Sequence, residues 1–232
     1  MMSLVSPRFF YVALVCLLAL FMPIVWAQSD AEKIQEIKSQ LKAHVVLSGE
    51  FKQTRRLQGF SRAIESTGIF TYWQGRGLYW ETQRPFFQAS TFIQDGVIDW
   101  RQSDGLSPAL IDDNPVLRKM SAIIVPLVGG DLEKLDSTFN AKWAFDEAGW
   151  SIVLDPASFM VEKAIGGIKV SGGEFIRDLA ITTPDNDDTE IAFLNIKVAD
   201  IPDHQQCEYF QVAGSELCNV IPKAVGLVPT NK

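Results

Sequence analysis

Two histidines, His44 and His204, and three cysteines, Cys16, Cys207 and Cys218, are the side chains of this sequence best suited to ligating a metal or attacking a substrate. Neither histidine has a second one at ligand spacing, so no zinc-type site is expected. No Gly-x-Ser-x-Gly elbow occurs, which removes the usual signature of an activated serine. Asp185-Asn186-Asp187-Asp188 offers oxygen ligands, but it lacks the glycine and distal glutamate of a calcium loop and reads as a hairpin turn. Asp112-Asp113 precedes a helix, where carboxylates favour the positive end of the dipole. Gly75 and Gly77 flank Arg76 but lead into a strand, not into the helix N-terminus that a phosphate loop needs. The sequence therefore predicts no catalytic residues, no metal and no cofactor.

A formal net charge of −7 gives no general attraction to nucleic acid. Lys52, Arg55, Arg56 and Arg62 make a local positive patch, either a solvated strand face or a contact for an anionic headgroup or acidic partner. The N-terminus speaks of export. Arg8 is the only charge before Asp30, Phe9–Met22 is a continuous apolar run, Pro23 breaks it, and Val25 and Ala27 suit a cleavage site after Ala27. Residues 1–27 are thus expected to be a cleaved signal peptide. The alternative is an uncleaved anchor, because Phe9–Trp26 is roughly 18 residues, barely enough to span a bilayer. Val15 before Cys16 speaks against acylation of that cysteine. In an exported chain the remaining pair, Cys207 and Cys218, favours a disulfide that staples the C-terminal segment, worth roughly 2–3 kcal/mol in the chain-entropy model. Two unpaired thiols in a loose tail are the alternative.

These side chains are positioned by a chain whose rhythm changes after one helix. Ile34, Ile37, Leu41 and Val45 recur at helical spacing behind an Asp30 cap and predict a helix over Asp30–Val46. From Leu47 the period is two. Leu47, Gly49, Phe51 and Gln53 share one face of a strand over Leu47–Leu57. Gly68, Phe70 and Tyr72 share a face of Ile64–Trp73, and Leu78, Trp80 and Thr82 a face of Leu78–Gln83, with Tyr79 and Glu81 facing out. Phe86–Gln94 and Val97–Arg101 follow across an Asp95-Gly96 turn. Ser103–Asp113 reads as a loop, and Asn114-Pro115 opens a second, apolar helix over Val116–Val128. Pro126 must end or kink it, and Gly129-Gly130 closes it before one more helical turn over Asp131–Leu135. Strands resume at Ala141–Asp146, Ser151–Asp155, Gly167–Val170, Glu174–Thr182 and Thr189–Val198. With no βαβ rhythm, the prediction is a mainly β fold of about ten or eleven antiparallel strands. It forms a single domain over residues 28–232, with a tail over about residues 200–232.

The order and spacing of several of these pieces resemble the LolA lipoprotein-carrier family. They are Phe51-Lys52-Gln53, Gly68-Ile69-Phe70-Thr71-Tyr72, Leu78-Tyr79-Trp80, Pro85, Asp95-Gly96 and Trp100. Pro115 with its apolar helix is similar to the family's lid, and the stretch 166–198 to its closing hairpins. The resemblance implies an unclosed, strongly curved antiparallel β-barrel, with an N-terminal helix and an inserted helical lid over its mouth. It implies a periplasmic protein of a Gram-negative bacterium that binds acyl chains of a lipoprotein or another amphiphilic lipid or glycolipid. An inner-membrane exporter would load it and an outer-membrane acceptor would unload it, with transient membrane-surface contact, no nucleic acid and a monomeric chain. Phe51, Phe70, Tyr72, Leu78 and Trp80 would line the lipid-binding cavity, and Val116, Met120, Ile123, Ile124 and Leu127 would face it from the lid. Inward aromatics on a sheet also make ordinary core, and the sequence leaves filled barrel and cavity both open.

Two departures stand out. The family has Arg-Pro directly after the aromatic strand, with that arginine latching the lid. Here Gln74-Gly75 occupies the place and Arg76 follows, so Gln74 and Arg76 are the candidate latch. The family's closing phenylalanines are replaced by the Pro202–Cys218 tail. A specialised carrier is the first reading, a non-transporting periplasmic sensor the second, and a lipid hydrolase or isomerase the third, for which no acid–base or nucleophile set can be assembled.

Overall fold

From Val46 onward the alternation of apolar and polar residues gives most strands one apolar face, and the described residues satisfy it with one antiparallel sheet of eleven strands. The computed structural model describes residues 29–93, 96–100, 109–111, 115–163, 165–210 and 218, with backbone alone for 109–111 and 115–120. The leader, Cys16, Asp95, Asp112-Asp113 and Asn114 lie outside the described residues.

Helix α1 (Asp30–Lys42) leads into β1 (Val46–Arg56), β2 (Ile64–Trp73), β3 (Gly77–Arg84), β4 (Gln88–Ile93), β5 (Gly96–Trp100) and β6 (Ala109–Ile111). Helix α2 (Pro115–Val128) and a 3₁₀ turn (Leu132–Leu135) then cross to β7 (Phe139–Asp146) and β8 (Gly149–Pro156). A single helical turn, α3 (Phe159–Glu162), precedes β9 (Gly167–Gly172), β10 (Ile176–Thr182) and β11 (Asp188–Ala199), and α4 (His204–Glu208) follows. The strand order is β6-β5-β4-β3-β2-β1-β11-β10-β9-β8-β7, so the first and last strands pair at the centre, and β6 and β7 are left as edges. The sheet is mainly meander and is not closed. The chain divides into two compact units, residues 1–33 and 34–232, and the whole sheet lies in the second.

Several boundaries move for physical reasons. Helix α1 stops at Lys42, not Val46, because Val46 is captured by the sheet between Ala199 and Trp73 and is buried. Leu57 lies outside β1, Phe86 and Phe87 outside β4, and Glu174 outside β10. Pro126 does not end α2, which runs on to Val128 and is closed by Gly129 N–H donating to Val125 O (3.0 Å). The predicted loop 103–113 contains strand β6, too short to show a period. The predicted tail contains α4, whose Asp203 and Gln206 form a capping box.

The inner face of the sheet carries the main core. Leu47, Phe51, Phe70, Tyr72, Leu78 and Phe193 meet Ile152, Val170 and Leu179 from the other half of the sheet. Leu41 of α1, Leu127 and Val128 of α2, and Leu132 and Leu135 of the 3₁₀ turn close over them. A second, smaller core lies on the opposite face, where Tyr79, Ala89 and Phe210 are buried with Trp73, Trp100 and Tyr209 packed around them. Tyr79 does face away from Leu78 and Trp80, but it does not reach solvent. The Tyr209 ring lies flat on it at 3.7 Å, and Thr91 Oγ1 donates to Tyr209 O at 2.6 Å. A disulfide joins Cys207 to Cys218, both buried. No helix among the described residues is long and apolar enough to cross a membrane.

Candidate functional site

The concave face is built by register. Phe51 sits opposite Gly68 on one side and Phe193 on the other, Phe70 opposite Trp80, and Tyr72 opposite Leu78. The Phe51 and Trp80 rings stack at 3.9 Å, while Phe193 meets Phe70 edge-on at 5.1 Å and Trp80 at 6.2 Å. Gly68 makes this possible, since a Cβ there would stand 2.9 Å from the Phe51 ring. The five predicted cavity residues therefore share one surface. Phe51, Phe70, Tyr72 and Leu78 are buried on it, and Trp80 is half-buried.

The lid covers that surface. Leu127 is fully buried in the inner core, and Ile123 and Ile124 pack against it. The side chains of Val116 and Met120 lie outside the described residues. The end of the lid is clasped by two glycines. A Cβ on Gly129 would lie 2.5 Å from the Tyr72 hydroxyl oxygen, and one on Gly130 would lie 2.8 Å from the Leu41 carbonyl oxygen. The lid backbone thus rests directly on the Tyr72 ring and on α1, at positions where a side chain would hold it off. With the lid down, the space left between Leu47, Phe70, Val128 and Phe193 is about 10 Å³. A small-molecule pocket is typically about 300 Å³ or more, so this gap is far below ligand size, while Tyr72 also borders a larger, open cleft beside α2.

Polar contacts hold the lid from its edges. Ser121 is buried and donates from Oγ to Ile93 O at 3.2 Å, tying α2 to the end of β4. Sequence reasoning passed over it, although it is the single polar side chain in the run Met120–Val128. Asp131, just past the lid, lies 3.2 Å from Lys42 Nζ of α1 and 3.1 Å from Lys134 Nζ. Burial pushes the Asp131 carboxyl up, but the Lys134 and Lys42 ammonium groups outweigh it and hold it below the ordinary carboxylate value. Burial raises the Tyr72 hydroxyl, and the nearby Asp131 charge adds to it, so this group stays neutral under the lid.

The candidate latch residues lie in the β2–β3 turn. Gln74 donates from Nε2 to Lys42 O at 3.0 Å, which anchors the β2–β3 turn to the end of α1. The Arg76 guanidinium stands 5.5 Å from the centre of the Trp73 ring. Among the described residues it makes no ion pair with the lid. It lines an open cleft of about 480 Å³ between the β2–β3 turn and α2, together with Ser121, Ala122, Val125 and Lys134.

The remaining chemical candidates are accounted for locally. His44 packs its ring 5.0 Å from Phe175, and His204 Nδ1 lies 3.2 Å from Glu208 Oε1 within α4. Thr183 N–H and O bridge the Asp185–Asp188 turn. Among the described residues no group of three or more His, Cys, Asp or Glu is placed to hold a metal. The positive patch is largely neutralised, because Lys52 pairs with Glu65, Arg55 with Asp187 and Arg56 with Glu190.

Several solved structures show a distant similarity to the chain, at TM-scores below 0.5. The LolA superfamily protein NE2245 from Nitrosomonas europaea is 7% identical, with a TM-score of 0.41 over 77% of this chain and 97% of its own. MucB, in its complex with MucA from Pseudomonas aeruginosa, is 12% identical, with a TM-score of 0.43 over 79% of this chain. The chain spans only 61% of that MucB structure's length. A putative outer membrane lipoprotein-sorting protein domain from Vibrio parahaemolyticus is 9% identical, with a TM-score of 0.36 over 76% of this chain and 95% of its own. No curated protein matches the chain in sequence. The family model described as "Outer membrane lipoprotein carrier protein LolA" matches residues 43–206, which takes in the aromatic face, the lid and all eleven strands, and the chain belongs to that family.

Proposed function

We propose that this chain is a periplasmic carrier that takes up the acyl chains of a lipoprotein or another amphiphilic lipid and moves it from the inner to the outer membrane. The observation that carries the reading is the apolar helix α2 seated on the aromatic concave face, with Leu127 and Val128 buried in the core they share. An acyl chain then has to replace lid side chains, chiefly Leu127 and Val128, on Phe51, Phe70, Tyr72, Leu78 and Trp80. Burying a long chain gains on the order of 10 kcal/mol, at about 0.8 kcal/mol per methylene. A carrier with that net affinity would not release its cargo. Displacing a lid that itself buries apolar surface returns much of the gain, so uptake and release come near balance. Binding of this kind needs no covalent step and no cofactor.

The test is direct. The chain purified from cells is extracted with organic solvent, and bound lipids are identified by mass spectrometry. Acyl-chain transfer between donor and acceptor vesicles is then followed with and without it. A bound amphiphile, lost in a Trp80→Glu variant, is the expected result. An empty chain that also takes up no acyl probe overturns the reading, and binding without transfer moves it to a lipid-sensing module.

A further inference from the structure

We infer that the end of the half-barrel remote from the lid clasp is a docking rim for an anionic lipid bilayer. Antiparallel pairing brings four described connections to this one end, the β10–β11 turn among them. Arg55 of β1 pairs with Ile64 of β2, and Thr67 of β2 with Arg84 of β3. Arg56 pairs with Asp188, and the row continues through Thr182 to Gly167 at the start of β9. The β1–β2, β3–β4 and β8–β9 connections therefore project the same way, and the β2–β3 turn and the Gly129-Gly130 clasp lie at the other end.

Three of these connections, β1–β2, β3–β4 and β8–β9, carry large apolar side chains in water. Phe60 is 72% exposed in the first, Phe86 81% and Phe87 41% in the second, and Phe159 66% and Met160 75% in the third. Single exposed apolar residues are ordinary, but Phe60, Phe86 and Phe87 on the adjacent β1–β2 and β3–β4 tips mark a contact surface, with the β8–β9 tip set apart from them by the β10–β11 turn. Cations choose the occupant. Arg62, Arg84 and Lys163 stand in or beside the same three connections, and among the described residues none of them has an acidic partner. The carboxylates of Asp187 and Asp188 at this end are engaged by Arg55, Gln58 and Thr182, and the exposed ones of Asp185 and Glu162 stand on the β10–β11 and β8–β9 connections, away from Arg62 and Arg84 on the two phenylalanine tips. Phenylalanine tips with unpaired arginine and lysine beside them match the acyl–headgroup boundary of a bilayer with anionic lipid. The surrounding chain, at net −7, limits the contact to a brief one.

The choice of a bilayer as occupant rests on the carrier reading above, and the experiment separates the two. The chain from Gln28 onward keeps every strand, every described helix and the whole compact unit 34–232. It is co-sedimented with vesicles of phosphatidylglycerol and phosphatidylcholine, and with phosphatidylcholine alone. Partition into the anionic vesicles that weakens with salt is expected. The triple variant Phe60→Ser, Phe86→Ser, Phe87→Ser should lose it by about tenfold or more, since burying one such ring is worth roughly that factor. Its circular dichroism and melting should not change, because all three rings are exposed in the native chain. Arg62→Gln with Arg84→Gln should remove the preference for anionic vesicles. Equal partition of wild type and triple variant overturns the rim. So does absence of partition, and self-association that the variant abolishes would assign the tips to a protein contact instead. Uptake of an acyl probe without vesicle binding sinks the rim alone, and vesicle binding without uptake sinks the carrier alone.

Discussion

Gly129 and Tyr72 meet backbone to ring, and no larger residue fits between them. Gly129→Ala should therefore loosen the closed lid by pressing a methyl group against Tyr72 at the edge of the aromatic face. Overpacking of this kind costs typically 1–3 kcal/mol, or about that much here. Urea denaturation is expected to show the loss, and an apolar dye to bind more strongly as the lid lifts. A variant as stable and as dye-silent as the native chain would mean the clasp yields elsewhere. Ser121 was hidden in the sequence by its apolar neighbours, yet its hydroxyl is the lid's bond to β4. Ser121→Ala should weaken the closed state by about 0.5–1.5 kcal/mol, read as faster hydrogen exchange along α2 relative to β1 and β11.

At the scale of elements, the lid base and the tail respond to different conditions. Asp131 is held below its ordinary value by two lysines, Lys42 on α1 and Lys134 beyond the lid. A depressed folded-state value means the unfolded chain takes up the proton first. The stabilisation is therefore fully present above the ordinary carboxylate value, and it is lost as pH falls through the lower folded value. Acid titration should release the lid base in that window, and Asp131→Asn should flatten the dependence in a melting series. The tail is a clamp on the outer face of β2–β5. Replacing Cys207 and Cys218 together with serine should cost about 2–3 kcal/mol in the chain-entropy model. It should also release Tyr209 and Phe210 from Tyr79 and Trp73, seen as a change in near-ultraviolet dichroism under conditions where the inner core stays folded.

For the molecule as a whole, alternation in the chain was enough to assign most strand faces. Phe70 shares a face with Tyr72, and Leu78 with Trp80, because side chains on a strand alternate, and the pairing of Phe51 with Gly68, Phe70 with Trp80 and Tyr72 with Leu78 joins the three strands' faces into one. The same local rule put Tyr79 on the other face. It could not say that residues 209 and 210 return over more than a hundred positions to bury it. Nor could it say whether the concave face surrounds a void, because that depends on how deeply α2 sits, and α2 is seated by a glycine on Tyr72 and a serine on Ile93. The fold class, the antiparallel meander and the apolar character of the lid were legible in residue spacing, since each arises from contacts made within a few residues. Which faces are covered, how full the interior is and where Arg76 points were decided only in three dimensions, since each depends on packing between segments far apart in the chain.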